Sequence, residues 1–294
     1  MPAMPERPLE MAVLGDSVLW GSGLEEEQKL WSLVRRWLEE HGESVRVRVL
    51  AHSLAVVEPD PVKDAPPPLW GEIRYRYPSI TYQALKDPRL GDDPKAIDLV
   101  LVDGGINDLG PLNLVNPWRS PRWVREQAAE HCGRKMRNLL LSLLTRLPEA
   151  QVVVTGYFPI VSAQTWFVRA LPFASVRRRL VELSETWAEA SDVWLRWAVD
   201  QANLHGSGAR VVYAGVAFRP EHCYGAPNAH VWSLWEALTD RTPVGKRRRC
   251  ECRRLKPWDL ICPIDRAFHP NDKGARAYAD AVIDALARLP SAAR

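Results

Sequence analysis

The sequence predicts an α/β fold, a three-layer α/β/α sandwich around a central five-stranded parallel sheet. Short apolar, β-branched runs alternate with amphipathic helical stretches along the whole chain, which is the pattern of strands joined by helical crossovers. The runs are apolar at successive positions, as strands covered on both faces are. With 294 residues, 46% hydrophobic and 26% charged, the chain can bury a substantial core without disulfides or metals. No repeat or boundary divides it. Residues 1–294 are expected to form one domain with long pocket-forming insertions at about 57–96, 157–176 and 216–264.

The first strand covers Met11 to Leu14 and stops abruptly at Gly15-Asp16-Ser17. Ser17 would then stand beyond the carboxyl end of a parallel strand, where open α/β sheets bind ligands. It is a candidate nucleophile, although the triplet read alone is only a helix cap. Gly21-Ser22-Gly23 leads into a helix with Leu30, Val34, Trp37 and Leu38 on one face. Glu25, Glu26 and Glu27 belong in its first turn, and Gly42 closes it. Val45 to Leu50 is a second strand, leading into Ala51-His52-Ser53-Leu54-Ala55. Periodicity then fails from Val57 to Ala96, where proline recurs, Pro66-Pro67-Pro68 included. Trp70, Tyr75, Tyr77 and Tyr82 favour a packed loop bordering a pocket over a disordered one.

Ile97 to Val102 is a third strand, running into Asp103-Gly104-Gly105-Ile106-Asn107-Asp108. Ser120 caps and Pro121 opens a long helix with Val124, Ala128, Met136, Leu140, Leu143 and Leu147 as its core stripe. Gln151 to Thr155 is a fourth strand. An apolar loop (Trp166, Phe167, Leu171, Phe173) precedes an amphipathic helix marked by Leu180, Leu183, Trp187, Trp194 and Ala198 and ended by Gly206. With Arg177, Arg178 and Arg179 after it, that loop suits a lid or a fixed pocket wall. Val211 to Ala214 is a fifth strand, and Val216 to Ile264 is irregular. His269-Pro270-Asn271-Asp272 opens a terminal helix that buries Ala275, Tyr278, Val282 and Leu286.

Composition excludes several classes. A net charge of +3 is too small to argue for nucleic acid. No apolar run approaches the roughly 20 residues of a membrane span, so no stable membrane insertion is expected. The first residues lack an apolar signal core, which points to a cytoplasmic location. Of five cysteines, all but Cys132 fall between Cys223 and Cys262. Free thiols or a disulfide suit Cys223, Cys250, Cys252 and Cys262 better than zinc, because the spacing is not that of a paired ribbon. Neither a metal nor a cofactor is expected. Lys246-Arg247-Arg248-Arg249, with Arg253 and Arg254, reads as a solvated loop or as a contact for an anionic substrate or surface. Oligomeric state leaves no signature.

The residues able to do chemistry stand at the ends of consecutive strands. Ser17 lies just past the first, Leu54 past the second and Asn107 past the third, and in a parallel sheet these share one edge. His269, before the last helix, can lie over the same edge. A serine needs a base, usually histidine, and the oxyanion it creates needs preorganised donors. A side-chain amide and backbone N–H groups at turns meet that need. His52 is a rival base, better read as a pocket-wall residue. Asp16, Gly105 and Asp108 would support the turns.

Gly15-Asp16-Ser17, Gly105-Ile106-Asn107-Asp108 and His269-Pro270, in this order and spacing, resemble the blocks of the SGNH (GDSL-type) hydrolases. The resemblance covers nearly the whole chain. It implies a flavodoxin-like α/β/α fold, ester hydrolysis without a metal, and an oxyanion hole of Ser17 N–H, a second-block N–H and the Asn107 side chain. Two positions depart from the family. Leu54 stands where a glycine usually donates its N–H, so leucine must adopt the turn. Arg266 stands three residues before the histidine, where the family has aspartate. Asp265, one residue further back, or a backbone carbonyl would then orient His269. The resemblance thus implies a serine esterase or lipase acting through an acyl-enzyme on a small-molecule ester, with the aromatic excursions favouring an apolar acyl group. A carbohydrate O-deacetylase or acyltransferase would use the same site. An inactive relative binding an anionic partner through the arginine-rich loop is the reading from another class.

Overall fold

The computed structural model describes residues 7–58, 70–76, 78–93, 95–205, 210–255 and 258–288. Pro66-Pro67-Pro68, Tyr77 and Gly206 lie outside them. The chain runs β1 (Leu9–Leu14), α1 (Ser17–Trp20), α2 (Leu30–Glu40), β2 (Val45–Val49), α3 (Ile80–Leu85) and β3 (Leu99–Val102). It continues with α4 (Ile106–Leu109), α5 (Pro121–Ala128), α6 (Met136–Arg146), β4 (Gln151–Thr155), α7 (Trp166–Ala170) and α8 (Ala174–His205). β5 (Val211–Ala214), α9 (Leu234–Leu238), α10 (Pro243–Leu255) and α11 (Asp272–Arg288) complete it.

All five strands are parallel, in the order β2-β1-β3-β4-β5. Their carboxyl ends therefore share one edge. Leu99–Val102 is buried at every position, as a central strand covered on both faces must be. β2 is an edge strand with the alternating sequence VRVRV, and Arg46 and Arg48 pair with the buried Glu10 at 2.8 and 3.0 Å. α2 and α11 pack together on one side of the sheet, whereas α3, α5, α6 and α8 pack together on the other. This is the predicted α/β/α sandwich with its five-stranded parallel sheet.

Three local features differ from expectation. The first helix is split. α1 is a single turn stopped by Gly21 in the left-handed region (φ 75°), and Glu26–Gln28 forms a separate 3₁₀ turn. Lys29 is extended, with its ammonium 3.9 Å from the Trp20 ring centre, so α2 starts only at Leu30. Between α5 and α6, Ala129–Lys135 forms a π-helical segment. Gly133 lies there against Trp194, 2.9 Å from where a Cβ would stand. The expected stripe survives on both sides of it, and the Ser120 hydroxyl caps α5 by accepting from Trp123 N–H. Finally, the basic run is not a loop. It forms α10, and Arg248 is completely buried.

Cys252 on α10 is disulfide-bonded to Cys262, while Cys132, Cys223 and Cys250 are free thiols. Among the described residues no cluster of potential ligands could hold a metal, and no helix is long and apolar enough to cross a membrane. The bond closes a loop of sequence separation 10, a constraint worth about 3 kcal/mol in the chain-entropy account. Reduction, or a Cys252→Ser/Cys262→Ser double change, should lower the calorimetric melting temperature by several degrees. An unchanged melting temperature would show that the link constrains nothing.

Candidate active site

The nucleophile turn is built by close approach. Gly15 has φ 152°, and a Cβ there would stand 2.0 Å from Asp103 Oδ1, so no side chain fits. Its N–H donates to Gln83 Oε1 at 2.7 Å, and Gln83 Nε2 returns a bond to its carbonyl at 3.1 Å. Asp16 caps α1 by accepting from Val18 N–H at 2.8 Å. Its other carboxylate oxygen accepts from the Tyr157 hydroxyl at 2.8 Å, and its own N–H donates to Asp103 at 2.7 Å. Both carboxyl groups are fully buried. Burial, and then the neighbouring Asp16 carboxylate, push the Asp103 carboxyl up from its ordinary value, and the pair supports the turn through these hydrogen bonds. Sequence reading assigned Asp16 to support and missed Gln83, Asp103 and Tyr157.

Ser17 Oγ lies 2.7 Å from His269 Nε2. The base is presented by a strained loop. Phe268, immediately before it, has φ 69°, a conformation costly for a non-glycine residue. That strain is held by two bonds to Trp232, whose N–H donates to the His269 carbonyl (2.8 Å) and whose carbonyl accepts from Phe268 N–H (3.0 Å). Asn271 then caps α11 through Lys273 and Gly274 N–H groups. The imidazole Nδ1 is buried and makes no full hydrogen bond. Burial pushes the imidazole pKa down to about 4, opposed by the backbone carbonyls of Arg266 and Asp265.

The expected third member is elsewhere. The Asp265 carboxylate pairs with Arg74 at 3.1 Å, and no hydrogen bond joins it to His269. In this arrangement the Asp265 carboxylate is engaged by Arg74, and the backbone carbonyls of Arg266 and Asp265, the other orienters expected from the sequence, face the imidazole. Burial raises the carboxyl to about 7 despite Arg74. Arg266, at the family's aspartate position, points away from the site. It pairs with Asp240 at 3.0 Å and lies over the Trp232 ring.

Leu54 adopts φ 70°, so leucine does enter the turn expected of a glycine. The surrounding bonds hold it there: Ser53 N–H to Gly71 carbonyl (2.6 Å), Tyr75 N–H to Ser53 carbonyl (3.2 Å) and Ala55 N–H to His52 carbonyl (3.3 Å). Ser53 Oγ also meets Ser22 Oγ at 2.7 Å, joining this turn to the nucleophile segment. Asn107 Nδ2 donates to Ala55 carbonyl at 2.9 Å, which orients the amide and leaves its second N–H. Among the described residues neither Ser17 N–H nor Leu54 N–H has a protein acceptor. Asp108 accepts from Val57 N–H and lies 3.4 Å from His131. Gly105 (φ 123°) leaves no room for a Cβ beside Cys132 Sγ. His131 and Cys132 both come from the π-helical segment, which re-aims that helix at the Asn107 turn. His52 is no base: it is buried, with both ring nitrogens facing backbone carbonyls, Ser53 and Pro78.

The excursions contribute unequally. A cleft of about 260 Å³ is lined by Trp20, Trp31, His52 and Trp70. The expected lid or wall segment at 157–176 instead borders a cleft of about 790 Å³ with Val168, Arg169, Arg177 and Glu185, and neither Ser17 nor His269 lines it. Arg248, read from the sequence as part of a solvated or anion-contacting run, is instead fully buried. Its guanidinium donates to Glu72 (2.6 Å) and Asp240 (3.0 Å). Glu72 in turn accepts from Trp20 Nε1 and Gly23 N–H beside the nucleophile turn.

No protein-family model matches the sequence, and no curated protein matches it significantly. Solved structures match it in fold over nearly its whole length. A lipase from a goat rumen metagenome is 17% identical, with a TM-score of 0.52, over 94% of this chain and 97% of that one. An extracellular lipase from Streptomyces rimosus is 15% identical (TM-score 0.57; 94% and 99% covered). A phospholipase A1 from Streptomyces albidoflavus is 12% identical (TM-score 0.55; 95% and 100% covered). The chain has the SGNH-hydrolase fold.

Proposed function

We propose that this chain is a single-domain serine hydrolase that cleaves carboxylic esters through an acyl-enzyme. The observation that carries the reading is the 2.7 Å contact between Ser17 Oγ and His269 Nε2, set at the sheet edge beside unpaired donors. Ser17 attacks the acyl carbonyl while His269 Nε2 takes its proton. The oxyanion is held by the N–H groups of Ser17 and Leu54 and the free amide N–H of Asn107. Collapse expels the alcohol, which receives the proton from His269. Water, deprotonated by the same imidazole, then releases the acid. Phe268 flanks the base, 38% exposed and stacked on Tyr224 at 4.1 Å, which supports an apolar acyl group. The Cys252–Cys262 bond favours an oxidising compartment over the cytoplasm expected from the sequence.

A fluorophosphonate tests the reading. Intact mass should show one covalent adduct on the native chain, none on Ser17→Ala and slow labelling of His269→Ala. A folded native chain that takes no adduct would refute it.

The desolvated imidazole sets a pH dependence. Catalysis needs it neutral, and its pKa is lowered to about 4, so kcat/KM should hold through pH 5 and fall only toward pH 4. The stability linkage has the same sign. The unfolded chain binds this proton more tightly, so stability from the neutral group is full above about pH 6.5. It is lost as pH falls toward 4. An acid limb centred near 6.5 would show that the imidazole is not held as described.

A further inference from the structure

Arg74 is partly exposed, with 24% of its side chain accessible, and it holds the Asp265 carboxylate, 13% accessible, at 3.1 Å. It also sits on the segment that builds the oxyanion turn, because the next residue, Tyr75, donates its N–H to the carbonyl of Ser53. The charge of Arg74 is also close enough to the base to disfavour the imidazolium, adding to the effect of burial, which puts the guanidinium within reach of groups on an ester held at Ser17. Meanwhile His269 Nδ1, four residues beyond Asp265, is buried without a full hydrogen bond.

We propose that Arg74 is the specificity-determining residue of this site: it receives an anionic group of the substrate and in doing so releases Asp265 to His269 Nδ1. This rests on the serine hydrolase reading. The substrate class is then an ester carrying a carboxylate or phosphate a few bonds from the scissile carbonyl. Arg74 is a ready anion receptor, with a planar fork that pairs two oxygens at once. Before substrate binds, the guanidinium neutralises Asp265. When the substrate anion takes the guanidinium, the Asp265 carboxylate accepts the Nδ1–H and stabilises the imidazolium that forms as Ser17 yields its proton. An uncharged ester leaves the ion pair closed and meets a site with two members only.

The test uses matched ester pairs. p-Nitrophenyl butyrate and p-nitrophenyl hemisuccinate place the charge on the acyl side, and phenyl butyrate and p-carboxyphenyl butyrate place it on the alcohol side. In at least one pair, kcat/KM for the anionic ester should exceed its neutral partner by about tenfold or more. Arg74→Gln should erase the preference, raising KM for the anionic ester while raising kcat for the neutral one, and Arg74→Lys should restore part of it. Asp265→Asn should lower kcat for the anionic ester at least tenfold with KM little changed. Equal rates within both pairs, or an Arg74→Gln loss shared equally by charged and neutral esters, would overturn the proposal. Fluorophosphonate labelling of Ser17 alongside those results would leave the hydrolase reading standing. Failure to label, with no ester turned over, would sink both.

Discussion

Ser17→Ala should remove ester hydrolysis almost completely, with kcat reduced about 10⁴-fold or more, and His269→Ala should do nearly the same. On the proposed reading the two groups, 2.7 Å apart, act as one unit, so the double variant should be no worse than either single one. Such non-additivity separates a nucleophile and its base from two independent contacts. The donors contributed by Leu54, Asn107 and the residue 17 backbone survive in Ser17→Ala, so residual turnover above the uncatalysed rate is expected. Stability should change little, by about 1 kcal/mol or less, since one hydrogen bond is lost and no cavity of consequence opens. Steady-state rates with a chromogenic ester, beside thermal unfolding of each variant, check both parts. A Ser17→Ala chain retaining a tenth of native kcat would mean that another group carries the reaction.

The strands were legible because apolar, β-branched runs such as Leu99–Val102 and Gln151–Thr155 have little use outside a covered sheet. Once they were parallel, the turns carrying Ser17, Leu54 and Asn107 shared one edge whatever their separation in sequence, while His269 follows no strand and is brought to Ser17 by the loop ahead of α11. Leu54 was legible as a donor but not as a conformation. Its φ of 70° is imposed by Gly71 and Tyr75, in an excursion without periodicity. The π-helical turn was hidden for a related reason, since the stripe of Val124 and Ala128 resumes at Met136 with no break in apolar spacing. Asp265 shows the limit of motif spacing. One residue of displacement leaves the carboxylate facing Arg74, which no local pattern reveals.

Arg248→Met should be the most damaging change outside Ser17 and His269. Arginine runs are usually solvated, and Lys246, Arg247, Arg253 and Arg254 are exposed as expected. Arg248 is not, because two distant carboxylates come to it: Glu72 at 2.6 Å and Asp240 at 3.0 Å, all three side chains buried. Taking the guanidinium away leaves those charges short of a counterion where water cannot replace it, a loss of about 3–5 kcal/mol. For a chain of this size that corresponds to a fall in melting temperature of roughly 10 °C. Arg253→Ala, on the exposed side of the same helix, should stay within about 0.5 kcal/mol. The Arg248→Met/Glu72→Gln double variant should be more stable than the sum of its parts, because the second change removes the charge that the first strands. Its cost should also reach the site, since Glu72 holds Trp20 and Gly23 while the Arg248 Nε–H donates to the Pro263 carbonyl ahead of His269. Equal unfolding midpoints for Arg248→Met and Arg253→Ala would mean that the buried pairs cost as much to form as they return. α10 would then be held by its disulfide and apolar contacts alone.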